Sequence, residues 1–156
     1  MIYTFYLGKQ KDFYSLKDII KNIIYNIANN DMELAEDSDH EFEIDCDWFN
    51  LSVSDNAKGI LFTSEDYNMQ LEYLLWFEIH YLENDSSEKI MMEVIGNLIK
   101  ILDCNCDCIL FSNNDKPILK RKDNKVTVDD SKLNSSERFP FKYMNIDYLE
   151  GHLDQI

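Results

Sequence analysis

The chain has 156 residues, 45% apolar and 13% aromatic, enough to bury the core of one domain over residues 1–156 and to argue against intrinsic disorder. Fifteen basic and 30 acidic residues give a net charge of −15, which repels nucleic acid and anionic membrane and speeds encounter with basic proteins. Four glycines and two prolines leave no stretch that reads as a linker, and no repeat or low-complexity tract is present.

The acidity is concentrated. Residues 31–88 hold 17 acidic side chains against Lys58 alone, a local balance of −16, whereas residues 1–30 carry +2 and residues 89–156 carry −1. The first nine residues have neither the basic start nor the long apolar stretch of a signal peptide, and no apolar run is long enough to span a bilayer, so a cytoplasmic protein is expected.

In chain order, Ile2 to Leu7 is the first predicted strand. Ser15 and Asp18 form a capping-box-like start for a helix whose apolar stripe is Leu16, Ile19, Ile20, Ile23, Ile24 and Ile27. Asn29, Asn30, Asp31 and Ser38 read as loop. From Asp37 to Asp47 every odd position is acidic: Asp37, Asp39, Glu41, Glu43, Asp45 and Asp47. Phe42, Ile44, Cys46 and then Trp48 interleave, and a period of two is the strand period. If the run is extended, six carboxylates line one face about 6.8 Å apart. Such a row repels itself and suits a cationic partner, although acidic runs also serve as plain solvated faces.

The segment merges into a strand containing Phe49, Leu51 and Val53, followed by a turn at Asp55-Asn56 and a short strand at Gly59 to Phe62. Gln70 to Leu82 is a long strand signal, with Leu71, Tyr73, Leu75, Phe77, Ile79 and Tyr81 on one face. Asp85 caps a second helix with the stripe Ile90, Met91, Val94, Ile95, Leu98, Ile99 and Leu102. A strand over Cys106 to Ser112, a turn at 113–115 and a hairpin of Pro117–Lys122 and Lys125–Val128 about Asp123-Asn124 follow. The remainder, with Phe139, Phe141, Tyr143 and Tyr148, reads as a short helix or arm docked on the core. This order predicts an α+β fold, an antiparallel sheet with two amphipathic helices on one face, ferredoxin-like in part.

Recognisable catalytic chemistry is missing. The glycines stand alone, so no loop cradles phosphate, and His-Glu-x-x-His and Gly-x-Ser-x-Gly are absent. Ser86-Ser87-Glu88-Lys89 fits Ser-x-x-Lys only as a helix cap without its companion motifs. His40, His80 and His152 are scattered. Cys104, Cys106 and Cys108 follow Cys-x-Cys rather than zinc-knuckle spacing and read as strand core residues with Leu110. A calcium loop from Asp37 would need Gly and Glu where Phe42 and Trp48 stand. No enzyme activity, metal or cofactor is expected. A pocket lined by Tyr73, Trp76, Phe77 and His80 would favour the alternative, a small-molecule-binding or enzymatic domain.

Several stretches together resemble a known family. The first strand Ile2 to Leu7, the strand Leu71 to Tyr81, the helix through Val94 and Leu98-Ile99, Asp107 to Asn113 and Pro117 to Lys122 occur in the same order. This pattern resembles the immunity proteins of the bacterial swarming-inhibition (Sit) polymorphic toxin systems, over the first strand and roughly residues 70–130. The resemblance implies a non-enzymatic inhibitor that protects a cell from a delivered toxin. With the charge, it gives the expectation of a cytoplasmic immunity protein that occludes a basic toxin domain, a nuclease among the candidates. Its binding residues would be Asp37, Asp39, Glu41, Glu43, Asp45 and Asp47, with Glu65, Asp66, Glu72 and Glu78 in addition.

Overall fold

A computed structural model describes residues 1–8, 12–29, 31–81, 86–101, 106–113, 115–133 and 137–153. Among these residues nine strands form one sheet: β1 (Ile2–Leu7), β2 (Met32–Asp37), β3 (Glu41–Cys46), β4 (Phe49–Ser54), β5 (Tyr73–Ile79), β6 (Cys108–Phe111), β7 (Pro117–Lys122), β8 (Lys125–Val128) and β9 (Leu149–Glu150). Their spatial order is β2-β3-β4-β5-β1-β6-β7-β8-β9, and every pairing is antiparallel except β8 with β9. Three α-helices join them: α1 (Phe13–Ala28), α2 (Lys58–Tyr67) and α3 (Ser86–Ile101).

The expected α+β class is what forms. Taken alone, β1, α1, β4, β5, α3 and β6 reproduce the β-α-β-β-α-β order of a ferredoxin-like unit, with β1 central between β5 and β6. The β2–β3 hairpin extends one edge of that unit, and β7 to β9 extend the other.

Strand alternation sorts side chains onto two faces. On one, Tyr3, Phe5 and Leu7 of β1 meet Phe42 and Ile44 of β3, Leu75 and Phe77 of β5, and the buried stripes of α1 and α3. Phe49 and Phe77 meet edge-on at 5.1 Å, and Phe13 of α1 lies 5.5 Å from Phe42. On the opposite face, Tyr6, Leu74, Ile109 and Phe111 form a smaller cluster with Ile60 and Tyr67 of α2.

That second cluster corrects the expectation of two helices. Gly59 to Phe62 belongs to α2 rather than to a strand, because Ile60 and Tyr67, seven residues apart, bury on one helical stripe. Two further corrections are local. Asp12, not Ser15, caps α1, its carboxylate accepting the Ser15 amide at 2.8 Å. The strand expected to reach Leu82 ends at Ile79, so that Tyr81 is 78% exposed while Leu71 joins the α2 cluster.

Elsewhere residue chemistry dictates the turns as read. Asp123 and Asn124 both take positive φ, 52° and 65°, in the two-residue loop of the β7–β8 hairpin. Cys106 and Cys108 are buried in the main core with Leu110, while Cys104, Asp85 and Leu102 lie outside the described residues. The carboxy-terminal segment docks through a 3-10 helix, Phe141–Met144, with both end residues buried, and then adds β9 beside β8.

Candidate functional site

The acidic run does not form one strand. Ser38 breaks it: its hydroxyl accepts the Glu41 amide at 3.1 Å and its own amide reaches the Glu41 carbonyl at 2.8 Å, closing a turn between β2 and β3. Residues 32–37, between the Asp31 and Ser38 loop signals, form the sheet's edge strand. The consequence for charge is large. Asp37 stands opposite Phe42 in the register, on the face covered by α1, and pairs there with Lys17. Asp39, in the turn, accepts a hydrogen bond from Tyr14 of α1 at 3.0 Å. That bond and the Asp39 charge push the Tyr14 hydroxyl above its ordinary value. These two carboxylates belong to the helix side and leave the expected row.

Glu41, Glu43 and Asp45 keep the alternation. Phe42, Ile44 and Cys46 between them are buried in the core, so these three carboxylates project from the opposite face. The register extends that face in cross-strand rows. Asp45 is flanked by Glu33 of β2 and Asn50 of β4, and Asn50 by Glu78 of β5. Glu43 is followed by Ser52 and then Trp76, with the Ser52 hydroxyl donating to Glu43 Oε1 at 3.0 Å. Asp47 is exposed in the bend that follows β3, and its carbonyl oxygen lies 3.2 Å from His80 Nδ1. His80 Nε2 lies 4.0 Å from Asp45 Oδ1.

The other expected residues divide. Glu78 joins the acidic face directly, while Glu65 and Asp66 are exposed on α2, the helix that covers the neighbouring part of the same face. Glu72 is exposed in the segment leading into β5. Sequence reasoning missed Glu33 and the exposed Leu61 and Phe62, and assigned Trp76 to a pocket rather than to this face. Trp76 is 40% exposed on the acidic face, and Leu61 and Phe62 of α2 are 62% and 61% exposed. Their signal was available: with Gly59 to Phe62 read as a helix, Ile60 and Tyr67 claim the buried stripe and turn Leu61 and Phe62 outward.

The four residues expected to line a small-molecule pocket at β5 are not brought together on one side of the sheet. Tyr73 and Phe77 are buried in the main core, whereas Trp76 and His80 lie outside it. Among the described residues no group of three His, Cys, Asp or Glu side chains is placed to hold a metal ion, and no helix is long and apolar enough to cross a membrane. Burial pushes the thiols of Cys46 and Cys108 up, which keeps both protonated.

Compared with protein-family models, with curated proteins and with solved structures, the chain matches none. The sheet face of Glu33, Glu41, Glu43, Asp45 and Glu78 is bordered by Trp76 and α2. It offers carboxylates and an exposed indole on a rigid sheet, a surface suited to a protein with a basic, partly apolar face.

Proposed function

We propose that the chain is a cytoplasmic immunity protein of the swarming-inhibition type, which binds a basic toxin domain and occludes its active site. One observation carries this reading. The strands with the densest carboxylates, β2 to β4 and the Trp76–Glu78 end of β5, carry no covering helix on one face among the described residues, α2 packing instead at Leu74 and beyond, and 17 of the 30 acidic residues fall in segment 31–88. A solubilising surface has no need to be one-signed and set beside exposed Trp76, Leu61 and Phe62. A docking surface does, because apolar anchors at the centre supply affinity while surrounding charges steer the encounter.

The roles follow from position. Glu41, Glu43, Asp45 and Glu78, with Glu33, would meet the lysines and arginines a nuclease-like toxin uses for phosphate. Trp76, Leu61 and Phe62 would supply apolar contact, with Glu65 and Asp66 at the rim. Asp37 and Asp39 are held by α1 and are not part of the contact. The family resemblance adds direction, since it supplies the partner class that charge alone leaves open.

Growth rescue tests it. The chain is co-expressed with the toxin domain encoded beside it, as the parent and as Glu41→Lys/Glu43→Lys/Asp45→Lys. The parent should restore growth and the triple variant should not, at equal melting temperature. Equal rescue by both would move the contact elsewhere, first to the 116–128 hairpin, and no rescue by the parent would refute the immunity reading.

A further inference from the structure

A cavity of about 340 Å³ opens at the end of the sheet where β1 begins. Its walls come from β1, the first turn of α3, Ser112, Asn113 and Lys116 between β6 and β7, and Lys132, Leu133 and residues 137–140. None of these belongs to the acidic face. Two features set it apart from an accidental gap.

The first is charge. In a protein of net −15, the lining places Lys89, Lys116, Lys132 and Arg138 against two carboxylates, Glu88 and Glu137. The cations are held in place: Lys116 donates to the Lys132 carbonyl at 2.8 Å, Lys89 lies over the Tyr143 ring at 5.6 Å, and Arg138 pairs with Asp130 and Glu150. Lys89 and Lys116 each keep further N–H donors beyond these contacts.

The second is Tyr3. It lines the cavity and is 3% exposed, yet its hydroxyl makes no hydrogen bond to any described residue. Buried hydroxyls are nearly always partnered. Burial, then the Glu88 charge, raises its pKa well above the ordinary tyrosine value, so it stays a neutral donor. The rest of the wall is apolar: the Phe139 ring packs 5.6 Å from the Tyr3 ring, with Met1, Leu133 and Pro140 completing it.

We infer that this cavity binds a small organic anion with a flat apolar body. The body lies against Phe139 and Leu133, the anionic group sits between Lys89 and Lys116, and an acceptor atom takes the Tyr3 hydroxyl. The volume suits a molecule of one or two rings. The site is independent of the toxin-binding reading, since it shares no residue with that face.

The test uses 2-naphthoate and its neutral analogue 2-naphthylmethanol, titrated into the full chain and followed by calorimetry and by NMR of the protein. Saturable binding of the anion is expected, about tenfold tighter than the alcohol, with shifts at Met1, Ser112 and Leu133. Tyr3→Phe, which keeps the ring, should weaken naphthoate several-fold, and Lys89→Glu/Lys116→Glu should abolish it, with melting curves unchanged. The triple lysine variant of the acidic face should bind it like the parent. The inference is overturned if naphthoate fails to saturate, if it shifts residues elsewhere, or if Tyr3→Phe binds it equally well.

Discussion

At Gly96 a single hydrogen atom separates a fitting contact from a clash. This α3 residue faces the 3-10 helix, and a Cβ added there would lie 2.7 Å from the Met144 carbonyl carbon. The obstacle is backbone, so no rotamer change relieves it. Gly96→Ala should therefore cost about 1–3 kcal/mol as an overpacking defect, read as a lower urea midpoint, despite the better helix propensity of alanine. Asp129 makes a second residue-scale case. Burial pushes its carboxyl up, but hydrogen bonds from the Ser131 hydroxyl (2.6 Å) and from the Ser131 and Leu153 amides outweigh this and hold it below the ordinary carboxylate range. Asp130 is likewise lowered, burial being outweighed by Arg138 and the Phe139 amide. A depressed folded pKa stabilises above the unfolded value, about 3.9, and that contribution is lost as pH falls through the folded pKa. Asp129→Asn should thus be clearly destabilised at pH 7, and its difference from the parent should shrink below about pH 4, as urea unfolding at several pH values would show.

Among the elements, the β2–β3 hairpin shows what sequence can and cannot reveal. The alternation over Glu41 to Cys46 was legible because a period of two with Phe42 and Ile44 inward has one good solution on a half-buried sheet. The turn at Ser38 was not, because the acidic spacing runs through it unbroken and the strand is ended by the bonds of the Ser38 hydroxyl and amide to Glu41. Likewise α2 read as a strand because Gly59 to Phe62 is short and apolar, and its helical spacing emerges only with Tyr67 included. The β7–β8 hairpin and both long helices were legible from Asp123-Asn124 and from the 3.6-residue stripes. The two faces of β3 should separate by mutation. Glu41→Lys/Glu43→Lys/Asp45→Lys relieves repulsion on an open face and should leave the melting temperature unchanged or higher. Phe42→Asp places an unpaired charge in the main core and should leave no cooperative unfolding transition by circular dichroism.

On the scale of the whole molecule, the fold separates charge by face and by region. Carboxylates crowd one face of β2 to β5, α1 holds Asp37 and Asp39 on the other, and the cavity lined by Tyr3 and the lysines lies at the end of the sheet where β1 begins. Charged side chains on the edge strand β2 also discourage strand addition by another copy, a benefit that needs no partner. Toxin binding and edge protection differ in what salt and charge reversal do to association. The decisive measurement is the association rate of the purified toxin domain with the parent and with Glu41→Lys/Glu43→Lys/Asp45→Lys, from low to high salt. If the acidic face is the docking surface, the parent's rate falls steeply with salt, and the variant associates at least about tenfold more slowly at low salt with little salt dependence. Matching rates and matching salt slopes for the two proteins would contradict it.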